Sequence, residues 1–129
     1  MDLQKPAGFT LIEMIIAIAI LGILAAIATP VYNNYLLSAG RADGKVALVQ
    51  GAQLMERYYT QNNTYVGAAI GGTIPLKSEG GKYQLSFSAD PSATSFTLAA
   101  TGQGAQAKDS RCAVMTINQA GLKKPADCW

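Results

Sequence analysis

The sequence predicts an α+β fold: one long N-terminal α-helix, half membrane-spanning and half amphipathic, packed on a small antiparallel β-sheet. Three observations carry this. An unbroken apolar run fills residues 14–28. Apolar residues then recur at spacings of three and four as far as Tyr59. Short alternating segments separated by turn residues fill the C-terminal part. The first two patterns belong to helices and the third to strands. At 129 residues the chain has room for one small domain plus such a helix.

Residues 1–8 form a short polar leader. Lys5 and the initiator amine are positive and Asp2 offsets one of them, so the positive-inside signal is weak. Residues 9–28 would span about 30 Å as a helix, the thickness of a hydrocarbon core. Glu13 is the one ionisable residue of this run and sits near its start. A carboxylate there costs roughly 2.5–3.5 kcal/mol on insertion scales, so it needs a partner or a function. The run holds no lysine, arginine or histidine to pair with it. A cut between Gly8 and Phe9 would create an α-amino group close before Glu13, on the same chain or a neighbour. Two simpler readings compete. Glu13 could snorkel to the interface, or the run could be a secretory h-region cleaved after Ala26-Ile27-Ala28. The acidic residue at its head and the weakly charged leader weigh against secretion.

Gly22 and Pro30 are weak points in a continuous helix, through propensity and a missing backbone donor respectively. They mark either a helix boundary at the membrane surface or a bend. Beyond Pro30, the stripe Val31, Tyr35, Ala39, Ala42, Val46, Val49, Ala52, Met55 and Tyr59 lies on one helical face and is expected to pack on the sheet. Gly40, Gly44 and Gly51 lower the intrinsic propensity, so this helix needs tertiary packing. Gln61-Asn62-Asn63 supplies its stop.

Residues 64–81 are irregular, punctuated by Gly67, Gly71-Gly72, Pro75 and Gly80-Gly81. Tyr65, Val66, Ile70, Ile74 and Leu76 are expected to pin this loop. Residues 82–88 and 95–101 alternate around the turn Asp90-Pro91-Ser92 and read as a hairpin. Residues 112–118 form a third strand, and Gln119-Ala120-Gly121 turns the chain back. The tail returns Cys128 towards Cys112. Behind a membrane-entry segment, these two cysteines read as a disulfide formed outside the cytoplasm. Closing that loop is worth roughly 3 kcal/mol in the chain-entropy model. A zinc site is the rival, but two cysteines without histidine are too few ligands.

Composition narrows the chemistry. The hydrophobic fraction of 50% partly reflects the membrane run, and the net charge of +2 neither demands nor excludes nucleic acid. Histidine is absent, which removes histidine acid–base catalysis and the commonest metal ligand. No nucleophile–base pairing, phosphate loop or metal constellation stands out, so neither an enzyme nor a cofactor is expected.

Gly8-Phe9-Thr10-Leu11-Ile12-Glu13, with a polar leader before it, an apolar run behind it and Pro30 beyond, resembles the prepilin signature of type IV pilins and type II secretion pseudopilins. Two further stretches, residues 55–62 and 112–121 with the terminal Asp127-Cys128-Trp129, resemble PilE-like minor pilins of Gram-negative bacteria, a group related to the DNA-uptake pilin ComP. The resemblance implies a type IV pilin fold and a pilus subunit serving pilus biogenesis, twitching motility, adhesion or DNA uptake, with a DNA receptor or a pseudopilin as alternatives. It implies cleavage after Gly8 by a prepilin peptidase that also N-methylates Phe9, and Glu13 neutralising a neighbour's N-terminal amine during assembly. It implies a helix bend or unwinding between Gly22 and Pro30 in the filament. The second mid-helix proline of many pilins is missing between Pro30 and Pro75. The implied partners are other pilin subunits, the peptidase and methyltransferase, the inner-membrane assembly machinery and the membrane, with the head periplasmic and then carried out on the pilus. The implied organisation is a leader at 1–8, a transmembrane and filament-core helix at 9–29, and a head at 30–129 comprising helix 30–60, loop 61–81 and a sheet with a disulfide-closed tail at 82–129. For DNA, the candidate phosphate contacts are Lys108, Arg111, Lys123 and Lys124, offset by Asp109 and Asp127; an ordinary solvated charged face is the alternative.

Overall fold

The computed structural model describes residues 4–129. The first part of the leader therefore lies outside the described residues. Helix α1, Leu11–Asn62, runs for 52 residues with Pro30 inside it. Four strands follow: β1 (Tyr83–Phe87), β2 (Thr97–Gly102), β3 (Val114–Asn118) and β4 (Lys123–Lys124). They form one antiparallel sheet in the order β1-β2-β3-β4. Two compact units divide the chain, one ending at Tyr35 and the other, the head, running from Leu36 to Trp129. In the first unit every described residue is exposed.

The head is built from the contact between α1 and one sheet face. Alternation sends Tyr83 and Leu85 of β1, Leu98 and Ala100 of β2, and Met115 and Ile117 of β3 into the core. The register aligns Leu85 with Ala100 and Ala100 with Met115 across three strands. The helix answers with Gly40, Gly44, Ala47, Leu48, Gly51 and Met55. This corrects the expected packing stripe, of which only Met55 is fully buried. Val46 and Val49 are 50% and 37% exposed.

The physical reason is close approach. A Cβ at Gly44 would lie 2.8 Å from Met115 Cε and 2.9 Å from the Tyr83 ring, and one at Gly51 would lie 2.9 Å from Leu98 Cδ1. Glycines that look like breaks in a helical pattern are here the positions where the sheet meets the helix backbone. Gly44→Val should therefore lower the head's unfolding free energy by about 1–3 kcal/mol through overpacking. Thermal unfolding of the detergent-solubilised chain by near-ultraviolet circular dichroism measures this.

The helix ends three residues beyond Tyr59, at Asn62. Asn63 takes a left-handed conformation (φ 56°), and its N–H donates to the Tyr59 carbonyl at 2.7 Å. In the following loop, Tyr65, Ala68 and Ile74 are buried, whereas the expected pins Val66 and Leu76 are about half exposed. Tyr65 meets Phe96 edge-on at 4.9 Å and donates to Glu56 at 2.8 Å. Burial, then that hydrogen bond, pushes the phenol of Tyr65 up to about 12. The loop also guards the sheet edge, since Leu85 N–H donates to the Leu76 carbonyl at 2.8 Å. The short strand β4 had no signal in the sequence, because two lysines show no alternation.

Candidate functional site

Residues 4–10 have no regular structure, and Gly8 and Phe9 are exposed within them. The helix begins immediately behind. Thr10 N–H and the Thr10 hydroxyl both donate to Glu13 Oε2, at 2.7 and 3.0 Å, and Glu13 N–H donates to the Thr10 hydroxyl at 3.3 Å. This is a capping box, in which two otherwise unpaired donors at the helix start are satisfied reciprocally. The sequence carries its signature, Thr-x-x-Glu, ahead of an apolar run, so Thr10 joins Glu13 as a functional residue of the helix start. Glu13 thus has a partner on its own chain.

Behind this cap the helix is long and apolar enough to cross a membrane. It continues unbroken through Gly22 and Pro30. Pro30 supplies no backbone donor, and the hydroxyl of Thr29, immediately before it, donates to the Ala25 carbonyl at 2.8 Å.

In the head, further polar links besides that of Tyr65 to Glu56 tie α1 to the loops. Arg41 makes a two-pronged contact with Asp109, Nε to Oδ2 at 2.6 Å and Nη2 to Oδ1 at 2.9 Å. Asp109 is 3% exposed and Arg41 22%. The Arg41 hydrogen bond holds Asp109 below the usual carboxylate range against the opposing effect of burial. Asp43 accepts from the Ser78 hydroxyl at 2.5 Å and from the N–H groups of Gly80 and Lys82 at 2.9 and 3.3 Å. Burial pushes the Asp43 carboxyl up, but those hydrogen bonds outweigh it and leave the group low. The side-chain amide of Gln106 adds another link: its Nε2 donates to the Leu37 carbonyl at 2.8 Å.

Cys112 and Cys128 form a disulfide with Cα atoms 5.8 Å apart, and both are buried. Among the described residues no group of metal-ligating side chains assembles.

The four candidate DNA contacts do not form one patch of free cations. Arg111 is ion-paired with Asp127, and that hydrogen bond holds the Asp127 carboxyl low. Asp109 does not offset the C-terminal cations, because it faces Arg41 instead. Lys108 ends a 3-10 turn after β2 (Gly104–Lys108). Lys123 and Lys124 are exposed on β4, and the Lys123 ammonium lies 5.1 Å from the centre of the Trp129 ring. Trp129 in turn donates its indole N–H to the Lys124 carbonyl at 3.3 Å. Lys45, absent from the sequence-based set, lines the same groove as Lys123 and Trp129.

Residues 3–29 match the family model of the prokaryotic N-terminal methylation motif. Residues 30–116 match a second model, described as the type IV minor pilin ComP, DNA uptake sequence receptor. The chain is a type IV pilin. Similar curated proteins bear this out. The pilin is 34% identical to a fimbrial protein of Neisseria meningitidis over 95% of its own length and 71% of that protein's. It is 32% identical to the type IV major pilin protein PilE1 of Neisseria gonorrhoeae, again over 95% of its length and 74% of the relative's. The match to the major fimbrial protein FimA of Dichelobacter nodosus is 40% identical but covers 65% of the pilin and 52% of that protein. Among solved structures, a type IV pilin from Shewanella oneidensis superposes with a TM-score of 0.52 at 26% identity, over 72% of this pilin and 97% of that chain. The non-core minor pilin PilV of Neisseria meningitidis shares the fold with a TM-score of 0.57 at 24% identity, over 69% and 85% respectively. The pilin fold expected from the sequence is therefore the one observed.

Proposed function

We propose that this pilin is a minor subunit of a type IV pilus, made as a precursor, cleaved after Gly8 and N-methylated at Phe9. The minor role is supported by the match of residues 30–116 to a family described as a type IV minor pilin, and the observation that carries the processing is the arrangement at the N-terminus. An exposed, unstructured Gly8–Phe9 peptide precedes a capped helix whose first-turn carboxylate, Glu13, heads an apolar surface with no protein cover. The helix anchors the subunit in the inner membrane with the head on the periplasmic side. Leaving lipid is offset when the same apolar surface packs against other helices in the filament core. Glu13 selects the docked register, because its charge is best satisfied where a neighbour's N-terminal ammonium meets it. Gly22 and Pro30 are the positions at which the helix bends or unwinds on packing. Sheared surface filaments test the reading: the mature chain should be present as a small fraction of their pilin and absent from cells lacking prepilin peptidase. Recovery of the chain from membranes alone would contradict it.

A second reading, compatible with the first, is that the head contacts DNA. It is favoured by the match of residues 30–116 to a family described as a DNA uptake sequence receptor. Exposed lysines on β4 supply the positive charge that phosphate binding needs.

A further inference from the structure

A shallow groove of about 460 Å³ lies between α1 and the C-terminal part of the head, where Lys123 and Trp129 line it. From the helix come Lys45, Val46, Val49 and Gln53. Three features separate it from an ordinary charged face. Its cations come from distant parts of the chain, so the fold rather than a local run brings them together. No aspartate or glutamate lines it, and the nearby Asp127 is already tied to Arg111. Its floor is apolar and open, with Val46 half exposed.

We propose that this groove seats the phosphodiester backbone of DNA, with Lys45 and Lys123 as phosphate ligands and Trp129 as the wall against the sugars. The inference rests on the DNA-contact reading and assigns it a place. The charge is complementary to a polyanion, and two lysines facing one channel hold a strand better than lysines scattered over a surface. From Lys45 to Gln53 the helix advances about 12 Å, which is roughly three to four nucleotide rises of 3.4 Å. The Gln53 amide adds a donor and an acceptor for a phosphate or a base edge. Arg111 is not a ligand, because Asp127 occupies it, and Lys108 lies outside the groove lining.

The test is fluorescence anisotropy of a labelled mixed-sequence DNA duplex with the full mature pilin in non-ionic detergent, across a potassium chloride series. Lys45→Gln and Lys123→Gln should each weaken binding and reduce the slope of log K against log salt by about 1, while Lys108→Gln leaves both unchanged. Near-ultraviolet circular dichroism checks that each variant is folded. If the wild type binds DNA but both groove variants keep its slope, the groove is wrong and the DNA-contact reading survives. If Lys108→Gln or Arg111→Gln carries the loss instead, the strand sits elsewhere and the groove is again wrong. If the wild type binds no DNA, the reading and the groove fall together.

Discussion

Glu13→Gln should leave the pilin cleaved and membrane-bound while cutting its incorporation into filaments roughly tenfold or more, tenfold being about 1.4 kcal/mol of docking energy. The choice of glutamine isolates the charge. Its side-chain oxygen can still accept from Thr10 N–H as Glu13 Oε2 does at 2.7 Å, and glutamine suits this position of a capping box. The helix start is therefore kept and only the anion is lost. Glu13→Ala removes both, so the difference between the two variants reports the cap and the glutamine variant alone reports the charge. Immunoblots of sheared filaments against the membrane fraction provide the measurement. Wild-type levels of the glutamine variant in filaments would mean that the carboxylate serves the helix cap and nothing in assembly.

Asp109→Asn should lower the stability of the head by about 3 kcal/mol, near the lower end for breaking a buried pair. Asp109 is almost fully buried, and the substitution leaves the Arg41 guanidinium without its anion; Arg41 keeps enough solvent contact to soften the loss. Acid should act through the same group. The folded-state pKa of Asp109 is depressed by its bond to Arg41, and that of Asp43 is depressed by the Ser78, Gly80 and Lys82 donors once burial is outweighed. Depressed carboxylates contribute stability above the unfolded value near pH 3.9, and that contribution is lost as pH falls from there through the folded value. The wild-type head should therefore weaken below about pH 4, with a flatter acid limb in Asp109→Asn. Thermal melts over an acidic pH series check both statements. Equal acid limbs in the two proteins would show that Asp109 is not a stabilising carboxylate.

The parts of the fold that were legible in the sequence are those with a local pattern. Tyr83 and Leu85, Leu98 and Ala100, and Met115 and Ile117 alternate and are buried. The helix and its asparagine stop were legible for the same reason. The face the helix presents was not, because an apolar stripe can be counted whereas close approach through Gly40, Gly44 and Gly51 leaves no hydrophobic signal. Arg41 and Asp109 stand 68 positions apart in the chain, and no periodicity links them. The groove pairing Lys45 with Lys123 was hidden likewise. The capping box is a different case: Thr10 and Glu13 are three apart and the pattern is local, but a carboxylate heading an apolar run carries a membrane-insertion signal and a capping signal at the same position.

The most direct measurement is the intact mass and N-terminal residue of the pilin recovered from its native membranes. The expected result is a chain beginning with N-methylated Phe9 and lacking residues 1–8, because an exposed Gly8–Phe9 peptide sits just ahead of the Thr10–Glu13 cap. A chain beginning at Thr29 would mean ordinary secretory cleavage after Ala28, with Glu13 discarded, and would contradict the assembly mechanism outright.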